Sequence, residues 1–590
     1  MRKFLLAVIS FILVLQPNFS SIAAENLSYL AKPVARGPLA GESIYFVMTD
    51  RFSNGDDSND RAGLTGSSSQ TGFDPTDKAY YHGGDFKGLT NHLPYIKELG
   101  FTSIWITPPV KNQYVQGASA AYHGYWGIDF TTIDPHLGTE EDFKNFVSQA
   151  HSLGMKVIVD IVVNHTADVI KYPNESTGYR YLINYPYKTC QGKPFDLNKV
   201  AGSKDFPKLC IDKSFAYIPQ VDPANKNIKK PAFLNDLTNY HNRGDSTWSG
   251  TSVFDGDFVG LDDLFTEKPE VVNGWSELWA SWITRFDIDG FRVDTAKHVN
   301  PEFWKVFIPK MLATAKSAGK KEFPIFGEVA DSDPLTLASF VKDQKFESVL
   351  DFGFQSHVSR FVVSGSGLDA LVNYFNADDL YTSTTTSAYS LATFLGNHDM
   401  GRIGQFIADR SEDSTEALSR AQLANALLFT LRGSPILYYG DEKGFTGTGG
   451  DQLARQDFFP TLLPEWQNER RIGSEPIGKL SSFETINPLE KTISALNELV
   501  RSETALNSGT QQIRYAREGV FAYSRYAAGQ EFLVVANGAN DITSVKVPVS
   551  TVDSNWKILL GQGTVNSAGT AVEVSLPELG WVVLKAEKKH

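Results

Sequence analysis

The stretch RFDIDGFRVDTAKHVN, from Arg285 to Asn300, places a charged pair inside what otherwise reads as a buried strand. Ile288, Phe291 and Val293 are apolar, yet Arg292 and Asp294 stand among them, two residues apart and so on one side of the strand. Charged side chains are rarely buried unless paired, so something at the end of this strand must require them. A fixed cation beside Asp294 favours its ionised form, the form a nucleophile needs. Other apolar runs end in a similar way. MKVIVDIVVNH (from Met155) carries Asp160 and then Asn164 and His165, FPIFGEV (from Phe323) holds Glu328, and LATFLGNHD (from Leu391) ends in His398 and Asp399. Glu328, closing an apolar run, is expected to have its pKa raised by desolvation and to stay protonated as an acid. Any one of these could be an ordinary polar strand end. Gathered at one place, Asp294, Glu328 and Asp399 with Arg292 suit acid/base and nucleophilic work on a glycosidic bond.

A repeated strand-helix unit would gather them. Short β-branched or aromatic runs also appear at SIYFVMTDRF (from Ser43), FTSIWITPPV (from Phe101), ESVLDFGF (from Glu347) and SPILYYGDE (from Ser434), which with the four above makes eight. Amphipathic helices lie between most of them. Thr139 to Leu153 has capping-box spacing at Thr139 and Asp142, a face of Phe143, Phe146, Val147 and Ala150, and Gly154 as a stop. Asn300-Pro301 reads as a cap followed by Pro at the first helical position, and a third helix is expected over Glu416 to Leu431. Eight such units predict an α/β fold, a (β/α)₈ TIM barrel, whose strands deliver their C-terminal residues to one mouth.

The spacing breaks between the third and fourth strands, where residues 166–265 are long, polar and weakly periodic. A connection of that length is expected to be a functional insertion, here a subdomain over the barrel mouth. After LEKTISALNELVRS the texture changes to strand alternation in QQIRYA, VFAYSRYA, EFLVVANG, SVKVPV, WKILLGQG, AVEVSLP and WVVLKAE, which predicts a C-terminal antiparallel β-sandwich. The expected division is a signal peptide at 1–24, barrel at 25–165, inserted subdomain at 166–265, barrel again at 266–503 and sandwich at 504–590. RAGLTGSSSQTG, near residue 66, reads as a flexible loop.

Composition limits the partners. The 590 residues are 42% hydrophobic and 12% aromatic, enough for a sizeable core in more than one domain, and the formal net charge of -13 speaks against nucleic acid or an anionic membrane. A monomer acting on a neutral ligand is expected. The N-terminal MRKFLLAVISFILVLQPNFSSIAAEN has a basic start, an apolar run ending at Leu15 and small residues at Ser21, Ala23 and Ala24, as in a cleaved signal peptide. The apolar run is shorter than the roughly 20 residues of a spanning helix. A secreted protein, extracellular or periplasmic, follows, and in an oxidising compartment Cys190 and Cys210 are expected to bridge.

Taken together, these motifs resemble the α-amylase family of glycoside hydrolases. DIVVNH (Asp160 to His165), GFRVDTAKH (Gly290 to His298), GEV around Glu328 and FLGNHD (Phe394 to Asp399) are similar to its four motifs, in order and at the expected strands. VGLDDLF resembles its fifth motif, YHGYWGIDFTTIDPHLGT its segment after the second strand, and YYGDE with GGDQLARQDFF the end of its barrel. The resemblance implies Asp294 as nucleophile, Glu328 as general acid/base and Asp399 as the carboxylate stabilising the transition state, with Arg292 holding Asp294. It implies that His123, His165 and His398 hydrogen-bond the sugar at the cleavage point and that Tyr125 stacks beneath it. Lys297 and His298 would line the acceptor side of an α-glucan substrate such as starch or maltooligosaccharides.

Calcium is the expected cofactor. TDRFSNGDDSND packs Asn54, Asp56, Asn59 and Asp60 into one loop and YYHGGDF adds Asp85, hard oxygen donors suited to Ca²⁺, although an Asx-rich turn would use the same residues. The loop resembles the calcium loop of secreted amylases and cyclodextrin glucanotransferases, with Gly83 offering a carbonyl, and departs from it in having Asn54 where Asp is frequent. The resemblance also implies a second ion tying Asn164 and Asp263 to the His298 carbonyl. A catalytically dead binding barrel would share the fold but has no use for an intact Asp294, Glu328 and Asp399. A transglycosylase or a cyclomaltodextrinase-like hydrolase would share every catalytic residue. Against cyclisation, Val259 stands where cyclising relatives place an aromatic, and the sequence shows a single sandwich.

Overall fold

The computed structural model describes residues 35–447, 449–552 and 554–588. The expected signal peptide at 1–24 lies outside the described residues. Eight short strands, β1 (Ile44–Val47), β2 (Ser103–Ile106), β3 (Lys156–Ile161), β4 (Gly290–Val293), β5 (Ile325–Gly327), β6 (Ser348–Val349), β7 (Ala392–Thr393) and β8 (Ser434–Tyr438), form one parallel sheet in chain order, and β8 returns to pair with β1. A parallel bridge between Leu350 and Ala392 joins the remaining two edges. The barrel is therefore closed, and each strand lies within one of the eight expected runs. Strands covered on both faces need unbroken apolar sequence rather than alternation, which is why IYFV, SIWI and GFRV are buried throughout.

The surrounding helices include α1 (Glu140–Ser152), α2 (Pro269–Phe286), α3 (Pro301–Ser317), α4 (Ser414–Thr430) and α5 (Pro488–Ser502). The Thr139–Asp142 capping box opens α1, which buries Phe143, Phe146, Val147 and Ala150 as its sequence period requires. Trp275, Trp279 and Trp282, spaced along one side of α2, are all buried. Two helix starts differ from expectation. Asn300 does not cap α3 through its side chain, whose amide donates to Glu302 instead, and α4 begins two residues early because Asp413 accepts from the Thr415 and Glu416 amides at 2.8 Å each. The loop expected near residue 66 holds a one-turn helix, Ser68–Thr71, fixed by a capping box between Ser67 and Gln70.

Between β3 and β4 the chain makes the long excursion. Its two ends are brought together by antiparallel pairing of His165–Thr166 with Asp262–Asp263, and it has a small core of Tyr187, Leu209 and Phe265. Cys190 and Cys210 are bridged, their Cα atoms 4.9 Å apart. Beyond α5, β9 (Thr510–Arg517), β10 (Val520–Ala527), β11 (Gln530–Asn537), β12 (Thr543–Pro548), β13 (Ser554–Gly561), β14 (Thr564–Ala568), β15 (Ala571–Leu576) and β16 (Trp581–Lys588) fall into antiparallel sheets ordered β9-β10-β11-β16-β13 and β12-β15-β14. β14 was not expected, because TVNSA offers only Val565 and the small Ala568 as apolar side chains.

The larger sheet is apolar on both faces, and strand alternation assigns each face to a different core. Val520, Ala522, Leu533, Val535, Val582 and Leu584 meet the second sheet. Phe521, Tyr523, Phe532, Val534 and Val583 belong to the barrel's core. Among the described residues no helix is long and apolar enough to cross a membrane. From the bridged cysteines, thiol reagent applied under non-reducing denaturation is expected to label no cysteine. Removing the bridge by C190S/C210S should cost about 3 kcal/mol through loop entropy, read as a lower denaturation midpoint, whereas labelling of two equivalents would show the thiols unpaired.

Candidate active site

Strand register places Arg292 on β4 level with Asp160 on β3 and Phe326 on β5. The Arg292 side chain is fully buried. Its Nη1 donates to both Asp160 oxygens at 2.9 and 3.0 Å and to Asp294 Oδ1 at 2.7 Å, and Nη2 lies 3.0 Å from Glu328 Oε2. One guanidinium is thus shared by three carboxylates from three adjacent strands. Asp160 also accepts from Trp105 Nε1 at 3.2 Å and from the Tyr125 hydroxyl at 3.0 Å.

The backbone turns sharply after Asp294. Thr295 adopts φ +46°, a left-handed conformation that is strained for a β-branched residue and is found where surrounding structure enforces it. The turn directs the Thr295 amide to Glu328 Oε2 at 3.0 Å, which gives Glu328 a second tether. The sequence carried no sign of this, since backbone strain leaves no mark on composition.

The carboxylates do not titrate alike. Burial pushes Glu328 up to about 7, with Arg292 opposing the shift and the charges of Asp294 and Asp399 adding to it, as its position at the end of an apolar run implied. Asp294 is also raised, by burial first, and its bond to Arg292 offsets only part of this. Arg292 thus favours the ionised form of Asp294, and burial outweighs it. Asp399, reached from β7, is lowered despite its burial cost by His398 and Arg455.

Arg455 escaped the sequence reading. It follows β8 within GGDQLARQDFF, and its guanidinium bonds Asp399 Oδ1 at 2.9 Å, the His398 carbonyl at 3.0 Å and the Tyr122 hydroxyl at 3.2 Å. Only the fold shows that it faces Asp399, because the two are 56 residues apart. His123, Tyr125 and His398 are gathered as expected. Tyr125 lies between the two imidazoles at ring separations of 5.6 and 5.5 Å, and its hydroxyl meets His398 Nε2 at 2.8 Å. Burial lowers His165 and His398 to about 3 and His123 well below its ordinary value, so all three are neutral hydrogen-bonding groups near pH 7. His165 Nε2 and His398 Nδ1 are buried and have no protein partner. Buried polar atoms are normally satisfied, so these two are positioned for a ligand.

Lys297 and His298 lie just beyond β4. Lys297 Nζ reaches Asp331 at 3.0 Å and the Ala330 carbonyl at 3.1 Å, and His298 Nδ1 donates to the Val253 carbonyl of the insert at 2.9 Å. Phe258 stacks on His165 at 5.3 Å and meets His298 edge-on at 5.1 Å. Val259 is 75% exposed.

The two expected metal sites differ in character. In the first loop Asn54 Nδ2 donates to Asp60 at 2.8 Å and Asn59 Nδ2 to Asp85 at 3.1 Å, while the buried Asn59 Oδ1 has no partner. A Cβ on Gly83 would stand 2.6 Å from Asp60 Oδ1 and 2.7 Å from Asn54 Nδ2, so the chain closes on this cluster only as glycine. Burial and the charges of Asp57, Asp50 and Asp85 raise Asp60 to about 6, against the Asn54 hydrogen bond. Asp56 is set apart, its carboxylate held by Lys87 at 2.7 Å. At the second site Asp263 accepts from Asn164 Nδ2 at 3.1 Å and pairs with His241 at 2.5 Å, and His241 also meets Glu267 at 3.0 Å. The flanking carboxylates raise His241 to about 10 against its burial. Among the described residues no group of three or more His, Cys, Asp or Glu side chains is arranged to hold a metal ion.

A closed barrel with carboxylates from successive strands at its mouth is the layout of a glycoside hydrolase, and the comparisons specify which. Residues 46–479 match the family model described as alpha amylase, catalytic domain, and the chain belongs to the α-amylase family. It is 44% identical over 570 residues to an α-amylase of Streptomyces lividans, covering 94% of this chain and 62% of that protein, so it spans less than two thirds of that relative. Among solved structures, an Anoxybacillus α-amylase superposes with a TM-score of 0.70 at 27% identity, over 94% of this chain and 99% of the other. A cyclomaltodextrin glucanotransferase of three-domain layout superposes with a TM-score of 0.69 at 28% identity, over 92% and 99%. The argument from a single sandwich against cyclisation is thereby overturned, since a cyclising enzyme shares this layout.

Replacing Arg455 by Ala is expected to cost about 2 kcal/mol, because a charged hydrogen bond to Asp399 and a donor to the His398 carbonyl are lost. Denaturant titration of R455A beside R455K measures it. An R455A midpoint equal to that of the unsubstituted protein would remove Arg455 from the framework of the site.

Proposed function

We propose that the protein is a secreted α-amylase that cleaves internal α-1,4-glucosidic bonds of starch and related glucans with retention of configuration. The observation that carries this reading is the sharing of Arg292 by Asp294 and Glu328, beside two buried imidazole nitrogens that lack protein partners. In retaining glycosidases the two carboxyl groups lie about 5 to 5.5 Å apart, a spacing compatible with two carboxylates held by one guanidinium. The Asp294 carboxylate attacks the anomeric carbon while the bond to the leaving oxygen breaks and Glu328 delivers its proton to that oxygen. Glu328, now ionised, takes a proton from water, whose oxygen attacks the same carbon and releases Asp294. Asp399, His123, His165 and His398 hold sugar hydroxyls, Tyr125 stacks beneath the ring, and Lys297 and His298 receive the leaving half. The division at residues 166, 266 and 504 belongs to the same proposal.

A second reading, transglycosylation with cyclic products, is favoured by the superposition on the three-domain cyclomaltodextrin glucanotransferase. The exposed Val259 speaks for hydrolysis, because it offers no ring face for a glucan to wrap around. Incubation with soluble starch, following iodine colour against reducing ends and separating products by chromatography, is expected to give linear maltooligosaccharides. Asp294→Asn should lower turnover at least about 10³-fold while remaining folded. Cyclic products as the main early species, glucose released alone, or a folded D294N of undiminished turnover would each overturn the assignment.

The pH profile carries its own sign. Glu328 must be protonated to act, and its proton is held up to about 7, so kcat/KM should fall roughly tenfold per pH unit above that value. Ionisation of Asp294 sets the acid limb. A profile flat from pH 6 to 9 would contradict the assignment of Glu328 as acid.

Calcium fits the first loop, where an unpartnered Asn59 oxygen, two carboxylates and a Gly83 cradle converge. Asn54, Asn59, Asp60, Asp85 and the Gly83 carbonyl would hold the ion, with Asp56 contributing no carboxylate. An ion bound there would neutralise the clustered carboxylates of Asp60 and Asp85. A second ion at Asn164, Asp263 and the His298 carbonyl belongs to the same proposal, and there His241 already pairs with Asp263. EDTA is expected to lower the melting temperature and added Ca²⁺ to restore it, by about 2.7 kcal/mol at a hundred times the dissociation constant. Coincident melting curves in EDTA and in millimolar calcium would sink the site.

A further inference from the structure

The ladder between β4 and β5 breaks at one rung. Phe291 donates its amide to the Pro324 carbonyl and Glu328 donates its amide to the Val293 carbonyl, both at 2.9 Å, as expected of a parallel pair whose register sets Val293 level with Gly327. The next rung would carry the Thr295 amide to the Glu328 carbonyl. It goes instead to Oε2 of the Glu328 side chain, at 3.0 Å. The positive φ of Thr295 marks the break, and from there the chain enters the 3-10 turn Ala296–His298. A β-branched residue resists that conformation, so the fold holds strain at the residue that follows the nucleophile.

The two neighbours of Oε2 act differently on it. Arg292 Nη2 stands 3.0 Å away yet makes no aligned hydrogen bond, so the guanidinium contributes charge and little direction. The Thr295 amide is the aligned donor to this carboxyl, and among the described residues no donor reaches Oε1. An oxygen that already accepts an N–H and faces a guanidinium is the poorer seat for a proton.

We propose that Thr295 is a positioning residue whose amide pins Oε2 of Glu328, so that the proton transferred in the reaction is carried on Oε1. This rests on the glycoside-hydrolase reading and names the oxygen that acts within it. Oε1 gives its proton to the leaving oxygen as the glycosidic bond breaks, and takes one from the attacking water in the second step. Oε2 remains an acceptor throughout, and the bond to it strengthens as Glu328 ionises. The amide therefore favours the ionised form and opposes the rise that burial imposes.

Exchanging Thr295 for its α-hydroxy acid turns this amide into an ester, which deletes the N–H and leaves the side chain in place. The charged groups around Glu328 are untouched: Arg292, the Asp160 and Asp294 that share its guanidinium, and Asp399 from the end of β7. Losing a donor to the carboxylate raises its pKa, so the alkaline limb of kcat/KM is expected to move up by about one pH unit. With maltopentaose, kcat should fall about tenfold while KM holds. Thr295→Gly keeps the amide and accepts the left-handed turn freely, so its alkaline limb is expected to stay where it is. Neutron diffraction from deuterium-exchanged crystals at about pH 5, where a carboxyl titrating near 7 is protonated, should place the deuteron on Oε1. An ester protein whose limb does not move, a Thr295→Gly limb displaced as far as that of the ester, or a deuteron on Oε2 would each overturn the proposal. If the ester protein does not fold, the glycine variant and the neutron map still decide it. An unsubstituted protein that leaves maltopentaose uncleaved would sink the functional reading, and the neutron map then decides the seat of the proton alone.

Discussion

The arrangement depends on one buried cation. Arg292 sits inside the barrel wall with no access to water, where an unpaired guanidinium would be costly, and the structure surrounds it with Asp160, Asp294 and Glu328. Asp160 and Glu328 reach it from the strands on either side and Asp294 from its own, so the pairing holds only while β3, β4 and β5 keep their register. A slip of one residue on β4 would turn Arg292 to the opposite side of the strand. The same ion cluster that fixes the register also sets the protonation states. Three negative groups divide one positive charge, so none is fully compensated, and burial raises the proton affinity of all three.

Neutral histidines complement this. His123, His165 and His398 are buried so far that they stay uncharged near neutrality, which spares the cluster any further positive charge and leaves each ring with one donor and one acceptor. Arg455 stands at the opposite side, holding Asp399 in its ionised form while that carboxylate faces the open cleft at 46% exposure. The cleft therefore grades from a dry, proton-retaining wall at Glu328 to a wetter, charged one at Asp399. Acid and anion can coexist there because the environment differs across a few ångströms.

Most of the barrel was legible in the sequence because doubly covered strands need continuous apolar runs and helices need a one-sided period. Asp160, Arg292, Asp294, Glu328 and Asp399 could be placed because a barrel brings strand ends together. What could not be read depended on side chains meeting across distance or on backbone conformation. Arg455 lies far along the chain from Asp399, and Thr295 gives no sign that its φ is positive. His241 looked like one polar residue among many in a polar segment, yet it bridges Asp263 and Glu267. The weak strand β14 and the one-turn helix at Ser68 escaped for a simpler reason: too few apolar residues to set a period.

The insert enters and leaves the barrel through two paired dipeptides, His165–Thr166 and Asp262–Asp263. Its ends are thus clasped together regardless of what lies between them. The entropy of closing such a loop rises only with the logarithm of its length, about 0.6 kcal/mol for each doubling. The segment between the clasps can accordingly lengthen, shorten or change its surface with little consequence for the barrel beneath. The insert can therefore be exchanged as a cassette, bordered by chemistry that the barrel holds in place.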